Sequence, residues 1–193
     1  MPDRERFAAI FIDGGYLDKV LKNEHASASI DYDKLATEMA GGLSRYRAYY
    51  YFCRRWMPPH PTEDERRLQA DQDRFFERIK SLPRFEVRLG HLKKRGTDVS
   101  GKPIFQQKGV DVLLAIDVVR IALKGEVSQI AILAGDGDYK ELIQVAKDAG
   151  VITRLFHAQG TTEMTKYSPE LWAASDDRIP IDASFVARIR RAR

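Results

Sequence analysis

The stretch ILAGDGDY (Ile132–Tyr139) ends an apolar run with two carboxylates, Asp136 and Asp138, separated by a single glycine. A short apolar run bounded by glycine predicts a fully buried strand of the kind found in parallel sheets. Acidic residues at the tip of such a strand have a plain reading as turn or helix-cap residues. Asp138 with Glu141 makes a D-x-x-E cap pattern that fits it. Whether they do more depends on what else the fold brings to the same edge.

The runs FAAIFID (7–13), YRAYYYFC (46–53), FEVRLG (85–90), QIAILAG (129–135) and VITRLFH (151–157) alternate with helical patterns near 15–22, 32–42, 62–80, 109–124 and 138–149. That alternation predicts βαβ units and a mainly parallel sheet, hence a single-domain α/β fold in three layers. With the strand order 3-2-1-4-5, strands 1 and 4 lie side by side where the order reverses, and ligands bind in that crevice. Asp13 ends strand 1 and Asp136 ends strand 4, so both face it. In the third helix Thr62 and Glu65 form a capping box, and Leu68, Phe75 and Ile79 mark the apolar face. The polar segment 91–107 reads as an inserted hairpin or flap, and RIPID (178–182) as a short extra strand. The expected domain is 1–182, followed by a basic tail over 183–193.

The next acidic contributor is KGVDVLLAIDVV (Lys108–Val119). A crossover helix runs antiparallel to its strands, so its first turn, with Asp111, sits at the carboxyl edge of the sheet. Asp117 lies six residues on, about 9 Å further along the axis. It shares an apolar stripe with Val110, Leu113, Leu114 and Ile121, so it is expected to be a buried, hydrogen-bonded carboxylate behind the site. Carboxylates gathered at one edge repel each other by about 4 kcal/mol at 4 Å and an effective dielectric of 20. Such a cluster needs protons, basic partners or a divalent cation. Hard oxygen donors without histidine or thiolate suit Mg²⁺ or Mn²⁺, and these ions accept phosphate oxygens.

FIDGGYL (11–17), KGVDVLLAIDVV (108–119) and ILAGDGDYKELI (132–143) resemble, in order and spacing, the motifs of NYN domains, and SPELWAASDDRIPI (168–181) is similar to their closing motif. These are PIN-like nucleases, and the likeness is greatest to the LabA-like branch. The resemblance implies the 3-2-1-4-5 sheet and metal-dependent RNA cleavage, with Asp13, Asp111, Asp136 and Asp138 as catalytic metal ligands. Many relatives carry Asn where Tyr16 stands. Here Tyr16 is expected to contact a phosphate or stack on a base.

The chain has 193 residues, 44% hydrophobic and 31% charged, with formal net charge +4. That is the composition of a globular protein large enough for a good core. No run of 18 apolar residues predicts a membrane span, and MPDRERF lacks the pattern of a signal peptide. A single cysteine, Cys53, excludes a disulfide framework and a thiolate metal cluster, and a reducing cytoplasm is the expected location. Cations cluster after the strands: Arg54 and Arg55 beside Trp56, then Lys93, Lys94 and Arg95, with Lys108 before Asp111 and Thr161 after strand 5. The tail RIRRAR (188–193) adds four arginines. Such a ring draws in a phosphate backbone, and Trp56 offers a stacking face. RNA is the expected partner, and a second copy of the chain is the other association considered.

Three functions follow: a Mg²⁺- or Mn²⁺-dependent ribonuclease, a non-catalytic RNA- or protein-binding regulatory module, and a Mg²⁺-dependent phosphohydrolase. GTDVSGKP (96–103) approaches a phosphate-loop pattern, but Pro103 replaces the metal-binding hydroxyl and no helix follows.

Overall fold

The chain's structure, a computed structural model, describes residues 6–97 and 103–192; for Lys93, Lys94, Thr97 and 103–108 only the backbone is described. Strand β1 (Phe7–Asp13) runs straight into α1 (Gly14–Glu24), and α2 (Tyr32–Ala40) leads to β2 (Ser44–Arg54). Next come α3 (Glu63–Lys80), β3 (Phe85–Thr97), β4 (Pro103–Lys108) and α4 (Val110–Leu123). Strand β5 (Gln129–Leu133) is followed by a 3₁₀ turn (Gly137–Tyr139), α5 (Lys140–Asp148) and β6 (Ile152–His157). The chain closes with α6 (Pro169–Ala174), β7 (Asp177–Pro180) and α7 (Ala183–Ile189).

The sheet order is β4-β3-β2-β1-β5-β6-β7. Its central five strands reproduce the expected 3-2-1-4-5 order, all parallel, with β7 added parallel to β6. Among the described strands only β4 is antiparallel, and its pairing with β3 is the inserted element expected over 91–107. The residues HLKKRGT extend β3 to Thr97, and Arg54 closes β2, so these cations begin on strands rather than on loops.

β1 and β5 are buried on both faces because helices cover both. One face (Ala8, Ile10, Ile12, Tyr50) packs on α1, α2, α3 and α7; the other (Ala9, Phe11, Tyr49, Tyr51) packs on α4, α5 and α6. The three layers follow. Helix α3 has its capping box, with Thr62 Oγ1 accepting from Glu65 N–H at 3.2 Å. Its buried face is Phe76 and Ile79 with Phe75 beside them, whereas Leu68 is 46% exposed. The expected apolar stripe therefore covers only the second half of the helix, where the sheet lies beneath it.

Helix α7 was not expected. Residues 183–189 are helical, with Asp182 capping, and Phe185, Val186 and Ile189 are buried in the same core as β1. The basic stretch therefore starts on a docked helix. Among the described residues no helix is long and apolar enough to cross a membrane.

Candidate functional site

Asp13 is the last residue of β1 and the N-cap of α1, its Oδ1 accepting from Tyr16 N–H at 3.0 Å. The strand can turn into the helix this sharply because the next residue is glycine. A Cβ on Gly14 would lie 2.3 Å from Tyr50 Cζ. One strand over, Ile12 pairs with Leu133, so Asp136 emerges beside Asp13 at the same edge. Asp136 caps the 3₁₀ turn, accepting from Asp138 N–H at 3.1 Å. Asp111, in the first turn of α4, accepts a 2.9 Å hydrogen bond from the Tyr139 hydroxyl.

Asp13, Asp111 and Asp136 line one cleft of about 380 Å³ with Gly15, Tyr16, Lys19, Gly135, Glu163, Met164 and Lys166. Burial, and then the charge of Asp111, push the Asp13 carboxyl up from its ordinary range, while two backbone N–H groups and Lys19 pull the other way. Tyr139 is buried among all three acids, and burial followed by their charges raises its hydroxyl pKa strongly. The expected convergence is thus present for three acids of four. Asp138 is exposed, contributes its backbone N–H to Asp136, and does not line the cleft.

Asp117 is buried and hydrogen-bonded as expected, but its partners lie elsewhere. It accepts from the Tyr51 hydroxyl (3.0 Å), Arg88 Nε (3.0 Å) and Arg120 (2.6 Å), none of which lines the cleft. It belongs to an ion network between α4, β2 and β3.

Tyr16 borders the cleft with its ring, yet its hydroxyl is engaged. It donates to Thr165 O at 3.2 Å and accepts from Ala158 N–H at 3.1 Å. Burial raises its pKa to about 12. The hydroxyl ties both ends of the loop after β6 to α1, and that loop supplies Glu163, Met164 and Lys166. A Cβ on Gly135 would lie 2.4 Å from the Tyr16 ring, so this glycine is what lets the ring sit there.

The other expected substrate contacts are dispersed. Arg54 pairs with Asp73 at 3.1 Å, and Arg55 donates its backbone N–H to Gln72. Trp56 is half-buried and Arg95 exposed. Thr161 donates its backbone N–H to Glu24. The side chains of Lys93, Lys94 and Lys108 lie outside the described part of the structure. Of the described side chains among them, Arg54, Arg55, Trp56, Arg95 and Thr161, none lines the cleft. Among the described residues its cations are Lys19 and Lys166, the latter paired with Glu163 at 2.5 Å. Sequence reading passed over them; the available signal was their place on the helix after strand 1 and the loop after strand 5, both at the acidic edge.

Among the described residues, no three His, Cys, Asp or Glu side chains form a group that could hold a metal ion as placed. Mg²⁺, however, keeps several waters and takes one or two protein carboxylates directly. The all-oxygen acids of this cleft fit such a hydrated ion.

The NYN domain family profile matches residues 7–182. The chain belongs to the NYN domain family. This NYN domain is 31% identical over 88 residues to the uncharacterized protein y4oD of Sinorhizobium fredii, a match spanning 46% of the chain and 35% of that protein. In three dimensions it is similar to a protein of unknown function from Vibrio parahaemolyticus, with TM-score 0.58, 17% identity, and coverage of 95% and 97% of the two chains. At that identity the likeness speaks to the fold alone. The family and the fold together make this a PIN-like, nuclease-type α/β architecture.

Proposed function

We propose that this NYN domain belongs to the LabA-like branch and is a metal-dependent ribonuclease of the cytoplasm. The observation that carries this reading is the gathering of Asp13, Asp111 and Asp136 on one cleft, bordered by Lys19 and Lys166. Three carboxylates that share a crevice repel one another, and a divalent cation relieves that repulsion. When bound, Mg²⁺ or Mn²⁺ supplies Lewis-acid polarisation of the phosphodiester and a water nucleophile at neutral pH.

The chain's own residues prepare the site. Asp13 and Asp136 are each fixed by a backbone N–H at one oxygen, and Tyr139 orients Asp111 through its hydroxyl. Lys19 and Lys166 attract the phosphate backbone toward the acids. Tyr16, with its hydroxyl bonded at both ends of the loop after β6, holds Lys166 over the cleft.

A second reading has one observation in its favour: among the described residues no three acids stand as a ready-made cage. On that reading the domain binds RNA without cutting it. Incubating a labelled single-stranded RNA with the protein in Mn²⁺ or in EDTA separates the two. Cleavage that needs Mn²⁺ and disappears in Asp136→Asn supports the ribonuclease. Binding without cleavage in either condition supports the second reading. Hydrolysis of a small phosphomonoester but not of RNA points instead to the phosphohydrolase.

A further inference from the structure

Away from the acidic cleft, two adjoining cavities of about 320 and 420 Å³ form one groove between α1, α2 and α3. Both are lined by Ile30, Tyr32, Phe75, Arg78 and Arg191. Their size is that of small-ligand sites.

Arg191 reaches the groove because the chain after α7 is clipped down. Asp31 N–H donates to Ile189 O at 2.8 Å, Arg191 N–H donates to Ser29 O at 3.1 Å, and Ile30 bridges Arg190 in antiparallel fashion. Arg188, just before, is matched to Glu38 at 2.9 Å. Arg78 and Arg191 form no ion pair and no side-chain hydrogen bond among the described residues. Lys22 lines the same groove. Two carboxylates are present. Asp31 is committed to capping α2, accepting from Asp33 N–H and Lys34 N–H. Asp18 stands at the α1 end, next to Lys19, which lines the acidic cleft.

Between the cations stand two aromatic rings. Tyr32 and Phe75 meet edge to face at 5.4 Å, and both are partly exposed. Guanidinium forks match phosphate oxygens, and aromatic faces take bases of any sequence. An acidic peptide would use the arginines and leave the rings idle.

We propose that this groove holds a nucleotide segment of single-stranded RNA outside the acidic cleft, with phosphate on Arg78 and Arg191 and a base against Tyr32 and Phe75. The choice of RNA as the strand rests on the ribonuclease reading; the groove's chemistry does not. Fluorescence anisotropy of a labelled 12-nucleotide single strand, in EDTA so that no cleavage enters, tests it. Arg78→Gln/Arg191→Gln should weaken Kd at least tenfold. Its log Kd against log salt slope should become shallower by about 1.4, at roughly 0.7 per phosphate contact on single strands. Tyr32→Leu should weaken binding several-fold and leave the slope alone. Both arginines are exposed, so circular dichroism melts of the double variant should match the parent.

Unchanged affinity and slope in the double variant overturn the proposal. So does AMP binding as tightly as the oligonucleotide, or an acidic peptide that depends on the same arginines while RNA does not bind. If the parent never cuts RNA in Mn²⁺ yet the arginine pair carries affinity, the groove stands and the ribonuclease reading falls. Cleavage with no arginine dependence gives the reverse.

Discussion

Asp117→Ala tests whether this carboxylate serves the fold or the cleft. Its side chain is 9% exposed and takes three donors, the Tyr51 hydroxyl, Arg88 and Arg120. The three losses are unequal. Tyr51 is fully buried, and stranding its hydroxyl costs about 1–3 kcal/mol. Arg88 keeps a second partner, Glu86 at 2.6 Å, and stacks over Tyr49, so its loss is partial. Arg120 is half-exposed and turns to water at almost no cost. Adding the lost packing, the variant should be destabilised by about 3 kcal/mol, toward the lower end of what breaking a buried pair costs. For a chain of this size that lowers Tm by roughly 6–12 °C. Tyr51→Phe in the Asp117→Ala background should recover about 1 kcal/mol or more, because the stranded donor is then gone. Urea and thermal melts measure both variants, and Mn²⁺-dependent RNA cleavage by the remaining folded protein should match the parent. A Tm within about 2 °C of the parent, or cleavage lost with stability intact, would refute the assignment of Asp117 to the ion network.

Three further outcomes are expected. Gly135→Ala pushes a methyl into the Tyr16 ring, whose hydroxyl is held at Thr165 and Ala158, and should cost about 1–3 kcal/mol by urea titration. Asp13→Asn keeps the helix cap but removes a carboxyl whose pKa is raised in the folded state by burial and Asp111. Because the native parent binds that proton more tightly than the unfolded chain, its stability falls as pH rises past the ordinary carboxylate range. In EDTA, the stability of the variant relative to the parent should therefore grow from about pH 3 to pH 7. Ending the chain after Asp182 removes Phe185, Val186 and Ile189 from the core, on the order of 5 kcal/mol or more of apolar burial. A cooperative melt like the parent's would contradict the packing of α7.

The strands and crossovers of the central sheet were legible because each strand is an apolar run and each crossover a helical pattern, whereas their 3-2-1-4-5 order was assumed and implied by the NYN resemblance. Parallel strands have one carboxyl edge, so Asp13 and Asp136 could be assigned to a common crevice from their places at the ends of two runs. Asp111 followed from the polarity of a crossover helix. Helix α7 escaped because its seven residues show only Phe185, Val186 and Ile189 among arginines, too short a stripe to tell a docked helix from a tail.

Other features depended on contacts between distant elements. Asp117 lies on the buried stripe expected of it, yet its partners come from β2 and β3, and nothing in the spacing of α4 says which side chains those strands present. Tyr16 sits in the acidic motif, but its hydroxyl is claimed by Ala158 and Thr165, residues 142 and 149 positions away. Arg54 meets Asp73 on α3, and Arg191 meets the groove only because residues 189–191 pair with 29–31. A local pattern reports which face of an element is apolar and where the element ends. It carries no information on register between elements, and register chooses the partner of each polar side chain. Hence the chain's own pattern located the acidic edge, while packing determined that three of the four acids share its cleft and which cations stand beside them.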